Sequence, residues 1–304
     1  MQEIGLIGLG RMGANMARRL SRAGLRLAVY NRSAEVAYRL AQEESRLRAV
    51  ASLEALVASL PAPRIVWLML PAGEASETAL QALSTQLAAG DLVVDGANAY
   101  YQDSMRHARE LAGKGIDFID AGVSGGVWGL ENGYALMLGG APQSVARLRP
   151  VIEALAPGPD RGWVHCGPAG AGHFAKMVHN GIEYGMMQAL AEGLALMKSK
   201  SEFAFDLAAV TEAWRHGSVV RSWLLDLTAE VLKEDQDLEA IRPYVADSGE
   251  GRWTALEAIN QKVPAPVMSL ALMMRYASQG GNDYPAKLLA MMRNAFGGHK
   301  VESR

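Results

Sequence analysis

Almost at its start the chain runs from a strand into glycines and straight on into a helix, and that junction restricts the fold more than anything after it. Glu3-Ile4-Gly5-Leu6-Ile7 reads as a short buried strand, Gly8-Leu9-Gly10-Arg11-Met12-Gly13 follows without a gap, and Ala14 to Arg22 carries apolar residues at helical spacing. A G-x-G-x-x-G in that setting has a task for each glycine. Gly8 permits the tight turn, Gly10 lets the backbone approach a pyrophosphate at the helix N-terminus, and Gly13 lets the helix lie close on the strand. Gly8, Gly10, Met12 and Gly13 are therefore candidate contacts to a dinucleotide.

The second strand, Leu25 to Tyr30, ends in Asn31-Arg32-Ser33. A fold selective for NAD usually places an acid here, on the ribose 2′-hydroxyl. A guanidinium beside two small polar groups suits a 2′-phosphate instead, so Asn31, Arg32 and Ser33 favour NADP over NAD. Further apolar strands follow at Arg64–Leu70, Asp91–Asp95, Gly115–Asp120 and Tyr134–Gly139, with helix-like segments between several of them. This alternation predicts a mostly parallel, doubly wound sheet. Ligands in such sheets bind beyond the carboxyl ends of the strands, where Ala72, Gly73, Asn98, Ser124, Gly125 and Gly126 fall.

From about Gly170 the strand signals fade. His173 to Lys200 reads as one long helix, and shorter helices fit Leu207–Arg215, Ser222–Glu234, Trp253–Gln261, Val267–Ser278 and Ala286–Asn294, with Pro243, Pro264, Pro266 and Pro285 between them. The expected fold is thus an α/β Rossmann-type doubly wound sheet over residues 1–168, followed by an all-helical domain over 169–304 for substrate binding and oligomerisation, ending in a tail. The chain has 15 methionines, many of them in these helices, and they are expected to fill a core. Thirty basic against 32 acidic residues leave a net charge of −2, which points to neither nucleic acid nor a membrane surface. The arginines of the first helix, Arg18, Arg19 and Arg22, read as a solvated face. One cysteine, Cys166, excludes a disulfide framework and a cysteine zinc site. No apolar run has spanning length, and the first strand begins almost at Met1, so a cytoplasmic protein without a signal peptide is expected.

The stretch Gly172 to Gly185 carries the chemistry. On a helix, Lys176, Asn180 and Glu183 stand at i, i+4 and i+7 on one stripe, with His179 beside it. An amine, an amide, an imidazole and a carboxylate along one face make a poor core and a good holder for a small polar substrate. At a rise of about 1.5 Å per residue, Lys176 and Glu183 lie roughly 10 Å apart along the axis, room for a sugar acid between two proton-transfer groups. No cluster with metal-ligand spacing appears, so no metal is expected.

With these residues in view, the chain resembles the decarboxylating 6-phosphogluconate dehydrogenases, in a shorter form with one helical domain. The resemblance runs nearly end to end. It rests on the glycine turn, Asn31-Arg32-Ser33, Asp95-Gly96-Ala97-Asn98, Val123-Ser124-Gly125-Gly126, the Lys176 helix, Gly251-Arg252-Trp253-Thr254 and the run Arg293 to His299. Val127 to Tyr134 looks like the short-form substrate loop.

The resemblance implies that Lys176 takes the proton of the substrate 3-hydroxyl as hydride leaves C3, that the 3-keto acid loses carbon dioxide, and that Glu183 protonates the enediol. It assigns Asn98, Ser124, Gly125, Gly126, His179 and Asn180 to the substrate carboxylate and hydroxyls, and Tyr184 to its phosphate. It further implies that Arg293, Phe296, Gly297 and His299 close the site of a neighbouring subunit in a dimer or tetramer.

Two departures touch the phosphate. A lysine of the long form reads Ser248 here, with Arg252 in place of the lysine inside the following run, and the arginine sought near Gly280 to Asp283 has no counterpart. The rival reading is a non-decarboxylating β-hydroxyacid dehydrogenase acting on a small C3–C4 acid, for which an acid at the position of Glu183 has no role.

Overall fold

In the computed structural model, which describes residues 3–280 and 284–297, the apolar runs of the first half assemble into one eight-stranded sheet. The chain passes through β1 (Glu3–Ile7), α1 (Arg11–Arg22), β2 (Arg26–Tyr30), α2 (Ala34–Glu43), β3 (Leu47–Ala49), α3 (Leu53–Ser59), β4 (Ile65–Leu68) and α4 (Glu74–Gln86). It continues through β5 (Leu92–Asp95), α5 (Tyr101–Ala112), β6 (Asp117–Ser124), α6 (Gly129–Asn132), β7 (Ala135–Gly140), α7 (Pro142–Leu155) and β8 (Trp163–Gly167). The spatial order is β3-β2-β1-β4-β5-β6-β7-β8. Strands β1 to β6 are parallel, β7 returns antiparallel to β6, and β8 is parallel to β7. The order reverses between β1 and β4, which leaves a crevice at their carboxyl ends.

Strands buried on both faces read as continuous apolar runs, because each alternate side chain needs its own helical cover. Ile65, Trp67, Leu92 and Val94 join Met16, Leu20, Leu148 and Ile152 in one core layer, under α1 and α7. Val66, Leu68 and Val93 join Leu56, Leu80, Leu83 and Leu111 in the other, under α3, α4 and α5.

Three sequence expectations are corrected in this unit. The strand expected to stop at Asp120 runs on to Ser124, because β7 pairs with it residue by residue as far as Ser124 and Ala135. Strands β3 and β8 were not foreseen: β3 has three residues and β8 is only partly buried, and both lie at sheet edges. The arginines of α1 are only in part the solvated face expected: Arg11 and Arg22 are exposed, whereas Arg18 and Arg19 are half-buried. Arg18 and Arg22 pair with Glu43 and Glu44 of the α2 end at 2.7 and 2.8 Å, and Arg19 is taken up by backbone carbonyls.

The chain divides into two compact units, 1–178 and 179–304. The second is helical: most of α8 (Ala171–Ser199), then α9 (Leu207–Arg215), α10 (Trp223–Glu234), α11 (Glu250–Asn260), α12 (Pro266–Ser278) and α13 (Tyr284–Gly297). Asp206 and Ser222 cap α9 and α10, accepting from the amides of Ala209 and Leu225 at 3.0 and 3.1 Å. Its buried apolar clusters are small: Tyr184 with Ala255, Ala271 and Leu272, and Leu194 with Leu207 and Leu232. The methionines expected in a core are largely on the surface, since Met186, Met187, Met273, Met274, Met291 and Met292 are all exposed. Among the described residues, no helix is long and apolar enough to cross a membrane.

Candidate active site

The first unit gathers its candidate residues on the carboxyl rim of the sheet. Gly8 turns with φ +92° after β1, and a Cβ on Gly13 would collide with the Gly8 carbonyl oxygen. Helix α1 therefore sits as close to the turn as backbone allows. Gly10, its N-cap, has nothing within 4 Å of where a Cβ would stand, and no acidic residue occupies the first turn of the helix. Open space over unpaired amides at a helix N-terminus suits an anionic pyrophosphate. Met12 is partly buried against the core beneath.

The three residues after β2 divide their work. Asn31 accepts from the Leu9 amide at 3.0 Å and donates to the Ser33 carbonyl at 3.2 Å, so its side chain braces the glycine turn. Arg32 and Ser33 are exposed, and the Ser33 hydroxyl makes no capping bond at the start of α2. Ala72 and Asn98 are exposed after β4 and β5, and Ser124, Gly125 and Gly126 follow at the end of β6.

Lys176 reaches this rim because the start of α8 is pressed onto β6 and β7. A Cβ on Gly172 would stand between the carbonyls of Met137 and Asp120 and the amide of Gly139, and a Cβ on Gly122 would strike the Lys176 stem. The lysine is 8% exposed, and its stem lies against β6 two residues before Ser124. Asp120, fully buried on the same strand, ties the helix down: its carboxylate accepts from the amides of Gly170 at 2.6 Å and His173 at 2.8 Å. Burial pushes its pKa up, with His173 and those two amides opposing. His173 is buried as well and shares a 2.7 Å hydrogen bond from Nδ1 with Ser104 of α5. Neither Asp120 nor His173 was singled out from the sequence. An acid two residues before Gly122, ahead of a helix that opens on glycine, was the available signal.

The second unit holds the other candidate residues. His179 Nδ1 donates to Asn180 Oδ1 at 2.9 Å and lies 3.9 Å from Glu183 Oε2. Glu183 is about two-fifths exposed. Tyr184 is buried, with its hydroxyl 3.1 Å from Ser248 Oγ, and the Arg275 guanidinium stacks 3.4 Å above its ring. Arg275 also donates to the Ala246 carbonyl at 3.1 Å. Arg275 stands on α12, ahead of the stretch where the sequence analysis sought a phosphate arginine, and Gly281 to Asp283 of that stretch lie outside the described residues. Arg252 is committed to Asp247 at 2.6 Å. Burial opposes ionisation of Asp247, but the Gly249 amide and Arg252 outweigh it and hold the carboxyl below its usual range. Arg293 is exposed on α13, nothing is described of the Phe296 and Gly297 side-chain positions, and His299 lies outside the described residues.

A glycine cradle for a dinucleotide at a topological switch point, and a buried lysine against β6 of the same sheet, define a nicotinamide-dependent oxidoreductase. Comparison with known proteins agrees. The NAD-binding domain of 6-phosphogluconate dehydrogenase matches residues 3–167, and the C-terminal domain of that enzyme matches residues 172–283. A Haloferax volcanii protein described as NAD(+)-dependent, decarboxylating 6-phosphogluconate dehydrogenase is 38% identical over 300 residues, 98% of each chain. A Bacillus subtilis protein described as the NADP(+)-dependent enzyme is 36% identical over 288 residues, 91% of this chain and 61% of its own length. Among solved structures, the Plasmodium falciparum 6-phosphogluconate dehydrogenase superposes with a TM-score of 0.84 at 30% identity, covering 99% of this chain and 66% of the other. Mycobacterium tuberculosis 3-hydroxyisobutyrate dehydrogenase, at 24% identity and a TM-score of 0.71 over 89% of this chain and 91% of its own, shares the fold. The chain belongs to the 6-phosphogluconate dehydrogenase family of NAD(P)-dependent oxidoreductases.

Proposed function

We propose that the chain converts 6-phospho-D-gluconate to D-ribulose 5-phosphate and carbon dioxide while reducing NAD(P)+, the oxidative decarboxylation of the pentose phosphate route. The observation that carries this reading is helix α8: a buried Lys176 against the Ser124 end of β6, with Asn180 and Glu183 at i+4 and i+7. Lys176 Nζ takes the proton of the 3-hydroxyl while Ser124, Gly125, Gly126, Asn98, His179 and Asn180 hold the carboxylate and hydroxyls. A lysine acts as base in its neutral form. The bound cofactor supplies the hydride acceptor for C3. A β-keto acid then loses carbon dioxide readily, and Glu183 delivers a proton to the carbon that bore the carboxylate. The contacts of Tyr184 with Ser248 and Arg275 support a phosphate subsite there, the guanidinium supplying the charge that the missing lysine does not.

Arg32 and the unused hydroxyl of Ser33 support NADP as the preferred cofactor. The bare apolar side chains of α13, Tyr284, Leu288, Leu289, Met291 and Met292, support a homo-oligomer in which Arg293 and His299 complete the site of a second copy. A phosphorylated sugar acid does not cross a bilayer unaided, which suits a cytoplasmic enzyme.

The test is turnover of 6-phosphogluconate with NADP and with NAD, following reduced cofactor and carbon dioxide together. Equal amounts of the two products support decarboxylation, and the rate ratio decides the cofactor. Reduced cofactor from small hydroxy acids without carbon dioxide would sink the proposal and leave Glu183 without its role.

A further inference from the structure

Helix α1 is tied to two things at once. Its N-terminus lies under the Gly10 opening, and its second half grips the segment that follows the Ser124-Gly125-Gly126 turn. Asn15 donates from Nδ2 to the Val127 carbonyl at 3.3 Å. One turn further on, Arg19 donates from Nη1 to the carbonyls of Leu130 at 3.1 Å and Glu131 at 3.3 Å, at the end of α6. The same guanidinium reaches the C-terminus of α7, with Nε to Ala154 and Leu155 at 2.9 and 3.0 Å and Nη2 to Ala156 at 2.8 Å. No side-chain carboxylate shares in these bonds: Arg19 spends its fork on five carbonyls, which a lysine ammonium, with donors radiating from one point, cannot span.

The clamp holds the 127–132 segment from one side. On its far side, Gly129 lies flush on the buried Tyr134 ring, and the Tyr134 amide donates to Leu155 at 2.9 Å, the same carbonyl that Arg19 Nε reaches. One arginine thus joins helix α1, the 127–132 segment and the end of α7.

We propose that Arg19, assisted by Asn15, is a positioning residue that fixes the 127–132 segment to the cofactor helix, so that the substrate turn is in register only when α1 is, and cofactor and substrate raise each other's affinity. This rests on the dinucleotide and substrate assignments above. Binding coupling of this kind is reciprocal, so a variant that weakens it must do so equally from both sides.

The experiment compares the wild-type chain with Arg19→Ala, Arg19→Lys, Asn15→Ala and, as control, Glu43→Gln, which removes the ion-pair partner of Arg18 on the same helix and leaves its 3.2 Å bond to Asn15 Oδ1 in place. In Arg19→Ala the KM for 6-phosphogluconate should rise by roughly tenfold to a hundredfold, the scale of a displaced positioning group, while cofactor affinity in the absence of substrate stays unchanged. The factor by which each ligand tightens the other should fall toward one from both directions. Arg19→Lys should behave like Arg19→Ala, Asn15→Ala should show the same change more weakly, and Glu43→Gln should show none. Amide hydrogen exchange supplies a reading that needs no turnover. Cofactor alone should protect amides 126–134 in the wild type and fail to do so in Arg19→Ala. Full rescue by lysine, unchanged KM and coupling in a folded Arg19→Ala, or a thermal midpoint that falls with exchange and KM unaltered would each overturn the proposal. If Arg19→Ala does not fold, Asn15→Ala decides by the same readouts. If the wild type does not turn over 6-phosphogluconate, the substrate assignment fails, and the exchange arm still decides on Arg19.

Discussion

The two compact units of the chain solve the problem of burial in opposite ways. The first sandwiches a sheet between helical layers, and its large apolar side chains, Trp67, Leu6, Leu20 and Leu83 among them, are fully buried. The second buries Tyr184, Leu194, Leu225 and Leu272 and leaves Leu256, Ile259, Val267, Leu270, Leu288, Leu289 and six methionines exposed. Exposed apolar area on that scale is rare on a monomer. The contrast teaches that the first unit buries its large apolar side chains between its own sheet and helices, whereas the second leaves many of its own bare, which supports the proposal that a second copy covers them. The same contrast runs through the chemistry: Lys176 is buried and braced, Glu183 stands partly in solvent.

The sharpest way to test that division is Lys176→Met. Turnover should fall by roughly a thousandfold or more, as expected for loss of a general base, with cofactor affinity and the unfolding midpoint little changed. Retained turnover would remove the lysine as base. Next in size is Asp120→Ala, which leaves two buried amides without an acceptor and should cost about 3 kcal/mol in urea unfolding. An unchanged midpoint would mean that the first unit does not depend on its grip on α8. The opposite half of the comparison is broken by Leu289→Glu with Met292→Glu. The oligomer should dissociate roughly a hundredfold more readily in sedimentation, and a chain that is monomeric before substitution would refute the covered-face reading.

A smaller effect is expected from Arg275→Ala: the KM for 6-phosphogluconate should rise about tenfold, as for loss of one charge-assisted contact, with kcat nearly kept. A kcat loss without a KM change would detach Arg275 from the phosphate. The smallest effect concerns pH. The folded-state pKa of Asp247 lies below its usual value, so the stability this group contributes is present above that range and is lost as pH falls through the folded value. The difference in urea midpoint between the parent and Asp247→Asn should be constant near neutrality and shrink only at acid pH. A difference that shrinks on the alkaline side would reverse the assignment.

The first unit was more legible in the sequence than the second, and for a physical reason. Strands covered on both faces must be apolar throughout, so β1, β4 and β5 stand out as runs, and the glycine turn declares itself by spacing. Edge strands carry no such obligation, which is why β3 and β8 passed unseen. Helix periods gave α9, α10 and α12 to within a residue or two at each end, but periodicity reports an apolar face without saying what covers it. That is how surface methionines came to be read as core. The Lys176 stripe was visible because its residues sit close in sequence. The partners that hold it, Asp120, Ser104 and Gly122, come from other elements, and only tertiary structure brings them there. Arg19 was legible as a charge and illegible as a clamp, because its partners are carbonyls, and every residue has one.

The antiparallel return of β7 has a consequence for how such a chain can diverge. At the rim formed by β1, β4 and β5, each strand leaves for a helix that must cross the sheet, so a change in length there shifts an entire layer. The 125–134 connection leaves and re-enters the sheet at one end, between Ser124 and Ala135, which face each other across the ladder. It is a cassette. A lineage can lengthen, shorten or exchange its exposed part to suit a new substrate without moving any strand, provided that Tyr134 stays in the core and the replacement still offers carbonyls where the arginine behind it reaches.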